Sequence, residues 1–209
     1  PAYLLSDLLE SLRESGWLIS SSSRNSYKMH QVIQLALHSK LNVLIDNVSI
    51  LIERTTEKLS IDQTKDNPVE KFRWAPFGQT LLDCFPNSDD KSIAPLQNNL
   101  ALVLKALGDY EGAKGLLEKA LASNEENFGE AHPTTAGSYS NMATVLKALG
   151  DYEGAKGLLE KALASDVQNF GEAHPTTALS YFNLGAVLYE FGNYDQAFNF
   201  VKKSTCRFC

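Results

Sequence analysis

Cysteine is scarce in this chain. Cys84, Cys206 and Cys209 are the three present among 209 residues. An odd, sparse count sets up no disulfide framework and points to a reducing, cytoplasmic compartment. Cys206 and Cys209 form a C-x-x-C, but a zinc site of that kind needs a second pair, and the sequence has none. A prenylation box is equally poor, because Arg207 stands where an aliphatic residue belongs. Concentrated basic runs are missing and the net charge is −6, which argues against nucleic acid as a partner. The apolar runs are too short to span a bilayer, and the first residues lack a signal-peptide layout, so no membrane partner is expected. No G-x-x-x-x-G-K-[ST] occurs, so no phosphate loop is present. The four histidines, His30, His38, His132 and His174, form no metal-ligand or dyad spacing. Neither an enzyme nor a bound cofactor or metal is expected.

What the chain does contain is a repeat. Residues 103–123 and 145–165 are identical, and residues 127–136 recur as 169–178. Each match lies 42 positions downstream, as Gly108-Asp109-Tyr110, Gly150-Asp151-Tyr152 and Gly192-Asn193-Tyr194 show. A fixed period in this range signals a solenoid, in which each unit buries its apolar face on its neighbours. Such near-identity also points to a recent internal duplication.

Each unit reads as two helices. In the second, His132-Pro133-Thr134-Thr135 opens a helix, since proline suits a first turn whose N–H would have no partner. That helix runs to Leu149, where Gly150 can take the left-handed conformation that ends it. Asp151 is the expected N-cap of the next helix, which runs to about Phe170 and stops at Gly171. Small residues recur where the two helices approach: Ala101, Ala113 and Ala120, then Ala143, Ala155 and Ala162, then Gly185 and Ala197 with Ser204. Leu100/Met142/Leu184, Leu104/Leu146/Leu188 and Leu117/Leu159/Val201 fill the space between. Gly112, Gly115, Gly154 and Gly157 lie inside the second helices, where glycine costs about 1 kcal/mol relative to alanine. Gln196 and Asn199 hold the matching places in the third unit, so the fold does not demand glycine there.

The small residue, the Gly-x-Tyr and the following small residues match the tetratricopeptide signature. With the 42-residue period in place of the usual 34, and with His-Pro-Thr-Thr-Ala and Gly-Asp-Tyr, residues 94–203 resemble the kinesin-light-chain type of tetratricopeptide repeat. The extra eight residues are expected to add about one turn to each helix. HEAT and armadillo repeats share the period but lack the Gly-x-Tyr-x-x-Ala pattern.

Residues 1–60 read differently. Leu4, Leu5, Leu8, Leu9 and Leu12 have helical spacing, Trp17 to Ile19 reads as a strand, Ser20 to Asn25 as a turn and Ser26 to Met29 as a returning strand. Helices are expected over His30 to Leu41 and about Asn42 to Leu59. Leu9-x-x-Leu12-x-x-Ser15-Gly16-Trp17-Leu18 followed by Tyr27-Lys28-Met29-His30 resembles the end of the winged-helix domain in NB-ARC-type signalling NTPases. In that family the histidine after the methionine contacts the ADP phosphate, which makes His30 the cofactor-contacting candidate of a full-length parent. A cap or half-buried role at a strand–helix junction is the alternative, and Gln31 stands where that motif often has Asp. Arg13, Arg24 and Lys28 are too few for a phosphate-gripping surface. Sustained heptads, which would precede the repeats of a true kinesin light chain, do not occur.

Residues 61–93 form a connector. Asp62 to Pro68 reads as a loop, Val69 to Phe85 as a helix broken near Pro76, and Pro86 to Lys91 as a second loop. That helix is expected to dock on the first repeat and cap the solenoid. Trp74, Pro76, Leu81 and Leu82 partly match the corresponding stretch of NB-ARC proteins with tetratricopeptide arrays, although Phe77 stands where they carry His.

The expected architecture is therefore all-α: a tetratricopeptide solenoid over 94–209, its last unit incomplete, preceded by a connector and a small winged-helix-like segment with a short β-hairpin. The chain reads as a fragment of a longer protein or a truncated product. The resemblance implies that the first helix of each unit lines a concave, peptide-binding face. Asn99, Asn141 and Asn183 recur on it, and an amide ladder can hold an extended peptide backbone. Bonding to the neighbouring helix is the alternative use of those amides. Leu102, Thr144, Ala186, Ala106, Ala148 and Glu190 lie beside them. None is basic, which excludes a carboxylate clamp, while Lys105 and Lys147 stand at the edge. The expected function is a protein- or peptide-binding module, the C-terminal part of an NB-ARC/tetratricopeptide signalling protein. A kinesin-light-chain-like cargo adaptor and the sensor of an upstream ATPase are the alternatives.

Overall fold

The computed structural model describes residues 49–61, 69–85 and 91–205, with the backbone of 18–20 and 27–29. The chain divides into two compact units, Pro1–Val48 and Ser49–Cys209. In the first, β1 (Leu18–Ser20) and β2 (Tyr27–Met29) pair antiparallel, with Ile19 opposite Lys28. The strands were expected over residues 17–19 and 26–29, and the winged-helix segment built on them is not supported. A two-stranded ladder does not by itself make a winged helix, and the flanking helices expected over residues 4–12 and 30–41 lie outside the described residues.

The second unit is helical. It begins with α1 (Ser49–Leu59), α2 (Val69–Phe72) and α3 (Ala75–Cys84). The break before α3 falls at Arg73-Trp74, because Pro76 lies in the first turn of α3, where its missing N–H costs nothing. Ile52, Leu59, Leu81 and Leu82 bury their side chains here. Gly78 lets α3 approach α1, since a Cβ on it would meet Leu59 Cδ1 at 2.8 Å.

Three helix pairs follow: α4 (Ile93–Leu107) with α5 (Tyr110–Phe128), α6 (Pro133–Ala148) with α7 (Tyr152–Phe170), and α8 (Pro175–Glu190) with α9 (Tyr194–Thr205). Both α1 and α3 pack on α4, so the first pair has its outer face covered. Each pair turns on a left-handed glycine, with φ of 86° at Gly108, 85° at Gly150 and 84° at Gly192. A Cβ at such a φ is strained, which is why glycine recurs there. The turn then ties its next N–H back to the first helix. Asp109 N donates to Leu104 O at 2.9 Å, Asp151 N to Leu146 O at 2.9 Å and Asn193 N to Leu188 O at 2.8 Å.

The spine of the solenoid is the core that the small residues permit. Ala101, Ala143, Ala113, Ala155, Leu117 and Leu184 are fully buried, with Leu159 and Leu188 nearly so. Gly185 carries this furthest, because a Cβ there would meet Val201 Cγ2 at 2.8 Å and Ala197 O at 3.2 Å. Polar side chains stitch the boundaries. Asn124 donates to Ser138 Oγ at 2.8 Å, and at the copied position Ser180 donates to Asp166 Oδ2 at 2.5 Å, all four buried. These bonds satisfy groups that would be costly to leave unpaired in a low dielectric.

Candidate functional site

The first helices α4, α6 and α8 lie in succession, and the recurring asparagines sit midway along each. Asn99 and Asn141 are half-buried and spend an amide N–H on stacking. Asn99 Nδ2 donates to Thr56 O of α1 at 3.0 Å, and Asn141 Nδ2 donates to Asn98 Oδ1 of α4 at 2.9 Å. Asn98 Nδ2 lies 3.3 Å from Asn99 Oδ1, which joins the two. Residue 140 is serine where the first unit has Asn98, so the relay has no copy at the next boundary. Asn183 is half-buried, and among the described residues its amide meets no hydrogen-bond partner. An amide offers two donors and an acceptor. The row therefore runs from two asparagines engaged with neighbouring helices to one that is open.

The two lysines bridge units. Lys105 Nζ donates to Thr144 Oγ1 at 3.0 Å, and that hydroxyl donates to Asn141 O at 2.8 Å. Burial lowers the Lys105 ammonium below its ordinary 10.5. Lys147 finds Ala186 where Lys105 finds Thr144, and stands 3.9 Å from Glu190 Oε1 instead. That pair is largely solvated and contributes little.

The histidines of the repeats are caps. His132 Nδ1 accepts from Thr134 N at 3.1 Å and His174 Nδ1 from Thr176 N at 3.2 Å. Each ring stacks on the phenylalanine that ends the preceding helix, His132 on Phe128 and His174 on Phe170, with centroids 4.8 Å apart. Among the described residues no group of three His, Cys, Asp or Glu side chains is placed to hold a metal ion. Cys84 is exposed, while Cys206, Cys209 and His30 lie outside the described residues. No helix of the described residues is long and apolar enough to cross a membrane.

One surface feature lies off the motif positions. A groove of about 490 Å³ opens on α8 and α9, lined by Phe182, Tyr189, Tyr194, Phe198 and Val201, with Lys147 and Glu190 at its margin. The signal was available in the sequence. Phe182, Tyr189 and Phe198 stand where the preceding unit has Ser140, Lys147 and Lys156.

A helix pair closed by Gly-x-Tyr, repeated three times around small-residue contacts, defines a tetratricopeptide solenoid. The family model for the tetratricopeptide repeat matches residues 92–166 and 135–205, and the chain belongs to this family. No curated protein sequence matches. Among solved structures, BtubC (BKLC) from P. vanneervenii is 22% identical, covers 85% of each chain and has a TM-score of 0.59. A putative kinesin light chain with nearly identical TPR-like repeats from Podosopora anserina is 20% identical over 78% of this chain and 74% of its own, with a TM-score of 0.60. A Rap protein complexed with competence and sporulation factor is 17% identical over 80% of this chain and 45% of its own, with a TM-score of 0.55. At these identities the likeness is one of fold.

Proposed function

We propose that this chain is a non-catalytic interaction module that holds a protein or peptide segment along the concave face formed by its first helices. The open amide of Asn183, at the end of a row in which Asn99 and Asn141 are already engaged, carries the reading. A half-buried amide that no neighbouring helix engages stays available to a ligand, and an extended backbone supplies both a donor and an acceptor. Lys105 ties the first two first helices together through Thr144, and Lys147 stands at the edge of the row. A Rap protein of the same fold is complexed with competence and sporulation factor, which is in keeping with a solenoid that takes a ligand.

The finer assignment is to the C-terminal part of an NB-ARC/tetratricopeptide signalling protein, in which His30 would contact ADP in the full-length parent. It rests on the Met29-His30 resemblance. A kinesin-light-chain-like adaptor is the competing reading, favoured by the repeat type, while residues 1–60 show no sustained heptads. With no phosphate loop in the 209 residues, calorimetric titration with ADP is expected to show no binding to this chain. Tight ADP binding would overturn that assignment of roles.

The groove is tested by panning a displayed random-peptide library on the chain. Selected peptides are expected to lose at least about tenfold in affinity on Asn183→Ala. Asn99→Ala and Asn141→Ala are expected to act mainly on the melting temperature. Failure to select any peptide, or unchanged affinity when all three are replaced, defeats the proposal.

A further inference from the structure

We propose that the outer face of the third unit, on α8 and α9, is a docking surface for a second copy of this chain, tail to tail across a two-fold axis. Phe182, Tyr189, Tyr194 and Phe198 are each between 51% and 69% exposed and line one groove there. At 150–250 Å² for a whole aromatic side chain, they offer on the order of 500 Å². That is over half of the roughly 800 Å² that a stable interface takes from each partner, before the aliphatic lining is added.

This face continues the internal interface in position but not in chemistry. Tyr152 of the second unit packs against Phe191 of the third, with centroids 6.4 Å apart. The copied Tyr194 has no following unit among the described residues and turns to Tyr189 at 5.3 Å. At the two internal boundaries, Lys105 and Lys147 reach polar groups, Thr144 and Glu190, on the next first helix. In the third unit that position is Tyr189. Phe198 likewise replaces the lysine found at 114 and 156, and Phe182 replaces Asn98 and Ser140. The third unit thus carries aromatics at three groove positions, 182, 189 and 198, where its near-copies have polar or charged residues. Another unit of the same kind would lose its polar partners on this surface.

The identity of the occupant follows from the rest of the molecule. The first unit's outer face is covered by α1 and α3, so head-to-tail addition meets a closed end. A two-fold contact uses the same patch on both copies and needs a self-complementary surface. Aromatic rings stack on aromatic rings. Lys147 and Glu190, one charge of each sign at the groove margin, can exchange partners across the axis.

Sedimentation equilibrium of the full chain tests this. A monomer–dimer equilibrium is expected, weakened at least about tenfold by Tyr189→Lys or Phe198→Lys. Both substitutions install the residue that the second unit carries at the matching position, so the fold should tolerate them, and an unchanged circular-dichroism melt checks that. Lys147→Glu and Glu190→Lys should each weaken the dimer, and their combination should restore it. A monomer at all concentrations, growth beyond a dimer, or a dimer indifferent to Tyr189→Lys and Phe198→Lys together would overturn the proposal.

Discussion

Lys105 of the first unit donates to the Thr144 hydroxyl of the second at 3.0 Å, and Thr144 passes a hydrogen bond to Asn141 O. An ammonium is thereby drawn partly out of water with one neutral partner. Desolvation penalises the charged form, so the folded state binds this proton less tightly than the unfolded chain.

The sign of the resulting pH dependence follows. Between the folded pKa and the ordinary 10.5, the unfolded chain holds more protons, so stability rises with pH in that window. Below it the full penalty is present. Lys105→Met removes the titrating group. The parent chain is expected to gain stability relative to Lys105→Met as pH is raised toward 10.5, read by urea denaturation across alkaline pH. A constant difference between the two would refute the assignment.

Tyr139 acts in the opposite direction. Its hydroxyl donates to Glu125 Oε1 at 2.5 Å, and burial, that bond, and the charges of Glu125 and Glu130 together raise its pKa far above 10.0. The unfolded tyrosine ionises first, so the chain loses stability as pH climbs above 10.0. Tyr139→Phe is expected to cost about 1 kcal/mol at neutral pH. It should also flatten the alkaline decline, compared with the parent by the same denaturation series.

Two glycines three residues apart are expected to behave oppositely. The N–H of Gly112 donates to the capping Asp109 Oδ1 at 2.9 Å, and a Cβ on Gly112 would collide with that carboxylate. Gly112→Ala should therefore destabilise, against the propensity gain of about 1 kcal/mol that alanine brings. Gly115 has nothing within 4 Å of a Cβ, so Gly115→Ala should raise stability by up to that amount. Thermal melts of the two variants decide it, and equal shifts of the same sign would contradict the geometry.

The buried leucines between paired helices set the largest single cost. Leu117 is fully buried, and Leu117→Ala should destabilise by about 2–5 kcal/mol, the range for a cavity in a well-packed core. Leu121→Ala, at a half-buried position on the same helix, should cost less. Urea denaturation of both variants reads the contrast.

What the sequence made legible was local. Gly108, Asp109 and Pro133 announce helix ends because capping chemistry acts within a few residues, and the 42-residue period multiplied that evidence. The role of Gly112 was hidden although its partner is only three residues away. It required knowing that Asp109 would place its carboxylate against the helix rather than in water. The partners of the asparagine row were hidden for a different reason. Thr56 and Asn98 are each 43 residues from the amide they receive, and no spacing rule names a partner across a packed boundary. The aromatic face was legible only by reading the third unit against the second, because matches define the family and mismatches define this surface.

The caps also grade the solenoid along its length. Gly112 and Gly154 let their N–H groups approach Asp109 and Asp151 to 2.9 Å, whereas Gln196 holds its own at 3.4 Å from Asn193. The unit with the loosest cap is also the one with a neighbour on one side only among the described residues, while the first unit is clasped by α1 and α3. Among the described residues, local opening is therefore expected to start at α9, the second helix whose cap bond is longest, and to spread to its partner α8 before it reaches the clasped first pair.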